Sequence, residues 1–263
     1  MKQLQSRAEL KNTAKDMLTG KYIPAILMFL LRGTLTVFVL SFVLSLDMQV
    51  TVLIQAFTKS ENSLLATVVS QLISLLFSIL LNIFNVGIFY FFLNAACRQP
   101  FSASNLFYGF QQDFGRSFII CAVLVLLNKI CFLPREIMMN LFLQNGSLDT
   151  LLISKLLIAF IIGLIIYIPL SLGLSQCYFL LLDFPQYSAG KIIRLSFQVM
   201  KGHKCRLFCL QLSFLPLILL SLLSFGIGML WLTPYMNMVY ALFFLDLMKT
   251  HAASDCTNPS GLH

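Results

Sequence analysis

SAGKIIRLSFQVMKGHKCRLF (Ser188–Phe208) runs through an apolar stretch into FGIGMLWLTPY (Phe225–Tyr235), and the fold is read outward from this string. Lys191, Arg194, Gln198 and Lys201 share one helical face, while Ile192, Leu195 and Val199 share another, as in an amphipathic helix. Gly202 closes it, and His203, Lys204 and Arg206 extend the cationic cluster. The run from about Leu207 to Phe225 is long enough to cross a bilayer, with Pro216 in its middle. Gly226-Ile-Gly228 then turns the chain, and Trp231 and Tyr235 supply the aromatics of a membrane–water boundary.

The whole composition agrees with this string. Of 263 residues, 59% are apolar and 11% charged, where soluble domains carry about 25% charged residues. Mean hydropathy is +0.88. These values exclude a water-soluble globule and predict an all-α, polytopic membrane protein. The net charge of +8 does not point to nucleic acid, because the cations sit in short segments beside apolar runs, where the positive-inside bias puts them. Seven cysteines without a CxxC pair fit free thiols better than a disulfide framework. The amino terminus has no signal-peptide pattern, so the first span is expected to stay as an anchor.

Six spans are expected. Residues 4–19 form a surface helix whose stripe of Leu10, Ala14, Met17 and Leu18 faces the membrane while Lys11 and Lys15 face water. Gly20 ends it in the left-handed conformation. The first span covers about Tyr22 to Leu46 and the first outside loop Asp47 to Ser63. An overlong second span, Leu64 to Asn94, carries Asn82, Asn85 and Gly87, natural places for a bend or a close contact. A third span covers Ser117 to Leu133. Residues 134–150 form the second outside loop, with an apolar middle that lies on the outer surface or re-enters. The fourth span, Leu151 to Leu182, holds Pro169 as a potential kink, and the sixth ends near Met248.

Gly20, Gly115 and Gly202 each follow an amphipathic stretch and stand 95 and 87 residues apart. This predicts one six-span domain over residues 1–248 made of three helical hairpins with interfacial amphipathic helices, the weak repeats being 4–94, 102–183 and 188–248. Residues 249–263 read as a flexible polar tail. Of eighteen Lys and Arg, only Lys59, Lys129, Arg135 and Lys155 fall in segments assigned outside, so both termini are expected in the cytoplasm and the protein in the cell membrane.

No catalytic or cofactor pattern is found. The ten carboxylates are read as lying off the middle of every span, which removes a proton relay or carboxylate ion site. His203, Cys205 and Cys209 match no metal-binding spacing, and no HExxH, GxSxG or phosphate-binding loop occurs. No cofactor, metal or catalytic residue is expected. Two groups of polar residues remain. Lys191, Arg194, Lys201, His203, Lys204 and Arg206 are candidates for contact with anionic headgroups or a membrane protein partner. Arg32, Asn82, Asn85, Asn128 and Gln176 are the polar candidates inside spans. Arg32 is read as snorkelling to the headgroups or as a functional buried charge, and the asparagines as interhelical bonding groups or the walls of a polar path.

The string Leu195-Ser-Phe-x-x-Met-Lys-Gly-His-Lys-x-Arg-x-Phe, with Leu212-Ser-Phe, Gly226-Ile-Gly-x-Leu-Trp-x-x-Pro-Tyr235 and the amino-terminal Ala14-Lys-x-x-Leu-x-Gly-Lys-Tyr22, resembles a bacterial family of integral membrane proteins found chiefly in Firmicutes, domain-of-unknown-function family number 975. The chain departs from it after Leu212-Ser-Phe, where Leu215-Pro216 stands in place of Gly-Trp. The resemblance implies a cytoplasmic-membrane setting and supplies no established activity, substrate or catalytic residue. The expected function is a non-enzymatic scaffold, lipid-interacting or accessory component, with a transporter or exporter subunit as the alternative. A polar cavity reaching the amides favours the alternative, and a tightly packed bundle favours the scaffold.

Overall fold

The computed structural model describes residues 5–58, 64–100, 103–112, 114–145 and 150–257. Among them there is no strand. The helices are α1 (Arg7–Leu18), α2 (Tyr22–Thr58), α3 (Leu64–Ala96), α4 (Tyr108–Gln111, after a 3-10 turn at Ala103–Phe107), α5 (Phe114–Asn145), α6 (Thr150–Leu174), α7 (Cys177–Asp183), α8 (Ala189–Val199), α9 (Lys204–Leu212), α10 (Leu215–Leu223) and α11 (Met229–Thr257). Six segments are long and apolar enough to cross a membrane: Tyr22–Ile54, Val68–Ala96, Phe114–Met138, Ile153–Asp183, Lys204–Leu223 and Met229–Thr250. Helix α11 is the centre. In its span window 56% of residues are buried, against 6% in α2, which lies at the periphery.

The amino-terminal helix begins with a capping box. The Glu9 N–H donates to Ser6 Oγ (3.2 Å) and the Ser6 N–H to Glu9 Oε2 (2.7 Å), which satisfies two donors that the first turn leaves orphaned. Gly20, at φ +78°, ends the segment as its sequence position predicts. The apolar stripe is spent differently from expectation. Leu10, Ala14 and Leu18 are fully buried, and α1 packs against α11, so protein covers the face assigned to lipid. Two bonds fix this packing: the Gln5 N–H donates to the Asp246 carboxylate (3.2 Å) and the Tyr235 hydroxyl to the Lys11 carbonyl (3.3 Å). They lie eleven residues apart on α11, about 16 Å of helix, so the two helices run side by side. Amphipathic α8 follows the same rule, burying Ile192 and Val199 in the bundle and keeping Lys191 and Arg194 outside.

Both outside loops need correction. Helix α2 continues from Asp47 to Thr58, and α5 runs through Pro134 to Asn145, so most of the segments read as loops are helix. A proline removes one backbone bond and costs about 3 kcal/mol; the bonds on either side carry α5 past it. The carboxylate reading changes with the boundaries, since Asp47 and Glu136 now stand inside span helices, and Glu136 pairs with Lys129 at 3.3 Å. Residues 59–63 and 146–149, which complete those loops, lie outside the described residues. The last helix also outruns its expected end, reaching Thr257 and taking in the first part of the segment read as a tail; residues 258–263 lie outside the described residues.

Two spans are interrupted. The fifth breaks at Ser213 and Phe214, because Pro216 lacks the N–H that would bond the Leu212 carbonyl. Proline then sits in the first turn of α10, where its missing donor costs nothing. Lys11, expected in water, reaches this break: its Nζ donates to the Ser213 carbonyl (3.2 Å) and lies 4.4 Å from the centre of the Phe214 ring. The fourth span continues through Pro169 and breaks at Ser175 and Gln176 instead. There Ser175 Oγ donates to the Leu172 carbonyl (2.8 Å) and Ser196 Oγ of α8 to the Gly173 carbonyl (2.7 Å), capping acceptors that the helix end exposes. Aromatic pairs then hold α7 in place. Phe89 of α3 stacks on Tyr178 at 5.0 Å, and Phe179 stacks on Phe244 of α11 at 5.1 Å.

Candidate polar cavity at the broken fourth span

Four of the five polar residues singled out inside spans meet around one cavity of about 560 Å³. Ser78, Asn82, Asn85 and Phe89 stand on one stripe of α3, at spacings of four, three and four, so a single helix face supplies them. Asn128 and Lys129 come from α5, Ser171 from α6, and Ser175 and Gln176 from the break itself. Gln211 of α9 and Tyr240 of α11 close the far walls, with Tyr167 and Tyr178 contributing aromatic faces. Asn85 lies eleven residues from the end of α3, Gln176 seven from the end of α7 and Gln211 seven from the start of α9. At 1.5 Å per residue these positions stand about 16 and 10 Å along their helices from those ends; Gln176 is buried, while Asn128 and Gln211 are exposed at the cavity's rim.

Asn85 of α3 reaches the Tyr178 hydroxyl of α7, so one amide links two helices. Asn85 Nδ2 donates to Asn82 Oδ1 (2.9 Å) and Asn82 Nδ2 to the Ser78 carbonyl (2.8 Å), a ladder along α3 that fixes both side chains toward the cavity. Gln176 Nε2 donates to Ser175 Oγ (3.0 Å). Its Oε1 is buried with no hydrogen-bond partner, and the residue is 3% exposed. A buried acceptor left unpaired costs about 1–3 kcal/mol. The break therefore presents one unspent acceptor where a helix is interrupted beside a polar space.

Charge in the cavity is balanced. Lys129 is its one lining cation and is paired with Glu136. Arg32 does not line it; half-buried on α2, it lies within electrostatic reach of Tyr178 and meets no carboxylate among the described residues.

The cationic cluster is divided by the structure. Lys191, Arg194 and Lys201 are exposed, with Lys191 Nζ 3.8 Å from the Tyr187 ring centre. His203 is half-buried ahead of α9, and Lys204 reaches over the Phe197 ring toward the Pro169 carbonyl (3.4 Å). Arg206 turns inward and pairs with Asp246. Among the described residues no three His, Cys, Asp or Glu side chains converge as metal ligands do. Sequence reasoning missed Ser78, Ser171, Ser175, Tyr178, Gln211 and Tyr240 as cavity residues. The four-residue spacing of Ser171 and Ser175, and of Ser78 and Asn82, was the available signal.

These features define a helical membrane protein with six potential spans, two of them broken, and a polar cavity inside the bundle. The chain belongs to the family described as protein of unknown function (DUF975), whose model matches residues 1–251. No curated protein and no solved structure matches it.

Proposed function

We propose that this chain is a non-enzymatic membrane component that takes a small, uncharged polar molecule into its helix bundle, as a transporter or exporter subunit does. The observation that carries the reading is the unpaired Oε1 of Gln176, a residue buried at a helix break and sharing one cavity with the amides of α3. Broken helices beside polar cavities are how transporters expose backbone and side-chain groups to a solute within the bilayer. The volume falls within the range of small-molecule sites, roughly 300–1,000 Å³. Neutralisation of Lys129 by Glu136 favours a solute without net charge. The test is a thermal-shift screen of the detergent-purified protein against polyols, sugars and amides, then uptake of any stabilising solute into proteoliposomes. Solute-dependent stabilisation that disappears in Gln176→Leu supports the reading. Absence of both stabilisation and flux above that of empty liposomes overturns it.

A second reading, contact with anionic headgroups or an acidic partner, is supported by the exposed strip of Lys191, Arg194 and Lys201. Reversing all three charges and assaying the lipids and proteins that co-purify tests it. We place the protein in the cytoplasmic membrane with both termini in the cytoplasm. The Gln5–Asp246 bond supports termini on one side, and protease protection of tags at each end in intact cells checks this.

A further inference from the structure

A second, apolar groove of about 790 Å³ lies between the α1–α2 junction and the α10–α11 pair. Leu217, Leu220 and Leu223 of α10 form one wall, Trp231 and Leu232 of α11 another, and Tyr22 stands at the junction. The groove offers a polar ligand little. Ser221 Oγ and Ser224 Oγ donate to carbonyls of their own segment (2.8 Å each), and the Tyr235 hydroxyl is taken by the Lys11 carbonyl. Lys15 is the one charged residue lining it, is exposed, and makes no ion pair among the described residues.

A hydrocarbon trough ending at an unneutralised ammonium fits an anionic amphiphile. We infer that the groove binds one anionic phospholipid, its acyl chain along Leu217, Leu220 and Leu223 and its phosphate at Lys15. Tyr22, beside Lys15 at the α1–α2 junction, carries a ring suited to the headgroup boundary, and Trp231 lines the apolar wall. Helix α10 packs chiefly against α11, so the side of the trough away from α11 stays open for a chain to enter laterally. This site is separate from the exposed Lys191, Arg194 and Lys201 strip and from the polar cavity.

Native mass spectrometry of the purified protein, with dioleoyl phosphatidylglycerol or phosphatidylcholine added in turn, reads the inference directly. The wild-type chain is expected to retain the anionic lipid about fivefold better, the increment of one lysine near an anionic headgroup. Lys15→Gln abolishes that preference, and Leu220→Trp, which fills the trough from an exposed position, removes the adduct of both lipids. Arg135→Gln, an exposed cation on α5 that lines neither the groove nor the Lys191 strip, leaves the preference unchanged. Equal retention of the two lipids by the wild type, a preference that survives Lys15→Gln, or loss of preference only in Arg135→Gln each overturns it. Thermal unfolding of every variant confirms that it is folded.

Discussion

Arg206 Nη2 lies 2.7 Å from Asp246 Oδ2, and the same nitrogen donates to the Gln5 carbonyl at 2.6 Å. One guanidinium thereby joins the start of the broken fifth span, the central helix and the amino-terminal segment, the last two lying 40 and 201 positions away in sequence. The side chains are 18% and 11% exposed, so the pair is largely out of water. Phe243 lies beneath the guanidinium, 5.0 Å from it.

Breaking a buried pair by removing one partner leaves the other charge uncompensated, at about 3–5 kcal/mol. Asp246→Asn and Arg206→Gln are each expected to lower the melting temperature in detergent sharply. Arg206→Met combined with Asp246→Leu is expected to cost less than the two single changes added together, since neither charge is then stranded. A double-mutant cycle with additive losses would show that the pair contributes nothing as a pair.

Glycines at two positions have opposite expectations. A Cβ at Gly87 would stand 2.2 Å from the Leu106 carbonyl oxygen, backbone that cannot move aside, so Gly87→Ala is expected to destabilise by about 1–3 kcal/mol or to displace the 103–107 turn. Gly115 is helical with open space around its Cβ position, so Gly115→Ala is expected to be neutral or to stabilise by about 0.5–1 kcal/mol. Thermal unfolding of the two variants side by side checks both.

Gln176→Met replaces the unpaired acceptor with an apolar group of similar length. Without solute it is expected to hold or raise stability, because an unsatisfied buried oxygen is removed. Any stabilisation by a solute found in the screen should be lost in the same variant. A variant that is simply less stable, and still responds to solute, would assign Gln176 to packing.

Burial, and to a lesser degree neighbouring Arg7, hold the Lys11 ammonium below the ordinary value of 10.5. The folded chain then binds fewer protons at Lys11 than the unfolded chain between the lowered value and 10.5. Stability therefore rises with pH through that window and is level below it. The wild type should gain on Lys11→Met between neutral pH and pH 10.5. Melting curves at the two ends of that interval measure the difference, and a constant gap would show that Lys11 titrates as it does in water.

The membrane class and the hairpin turn at Gly226 were legible because they depend on local composition and on backbone conformations that few residues adopt; Gly20 and Gly226 take positive φ where their neighbours suggested it. Helix ends were legible only in part. Pro134 and Pro169 read as an end and a kink, yet α5 and α6 run through both, because one lost bond does not outweigh the turns on either side. Asn82, Asn85, Asn128 and Gln176 were identifiable as polar residues inside spans. That they surround one cavity, while Arg32 stands off its walls, was not.

The sequence by itself determined that this chain is helical, belongs in a bilayer and carries six stretches able to cross it, since hydropathy acts on each segment alone. Tertiary structure decided what each amphipathic face is used for. The stripes of α1 and α8 cover helices instead of lipid, Arg206 serves Asp246 instead of a headgroup, and Gln176 Oε1 stands unpaired at a break that no proline marks. An apolar face is equally satisfied by hydrocarbon or by protein, and a polar group by any partner of the right chemistry. Only the positions of segments distant in sequence choose between them.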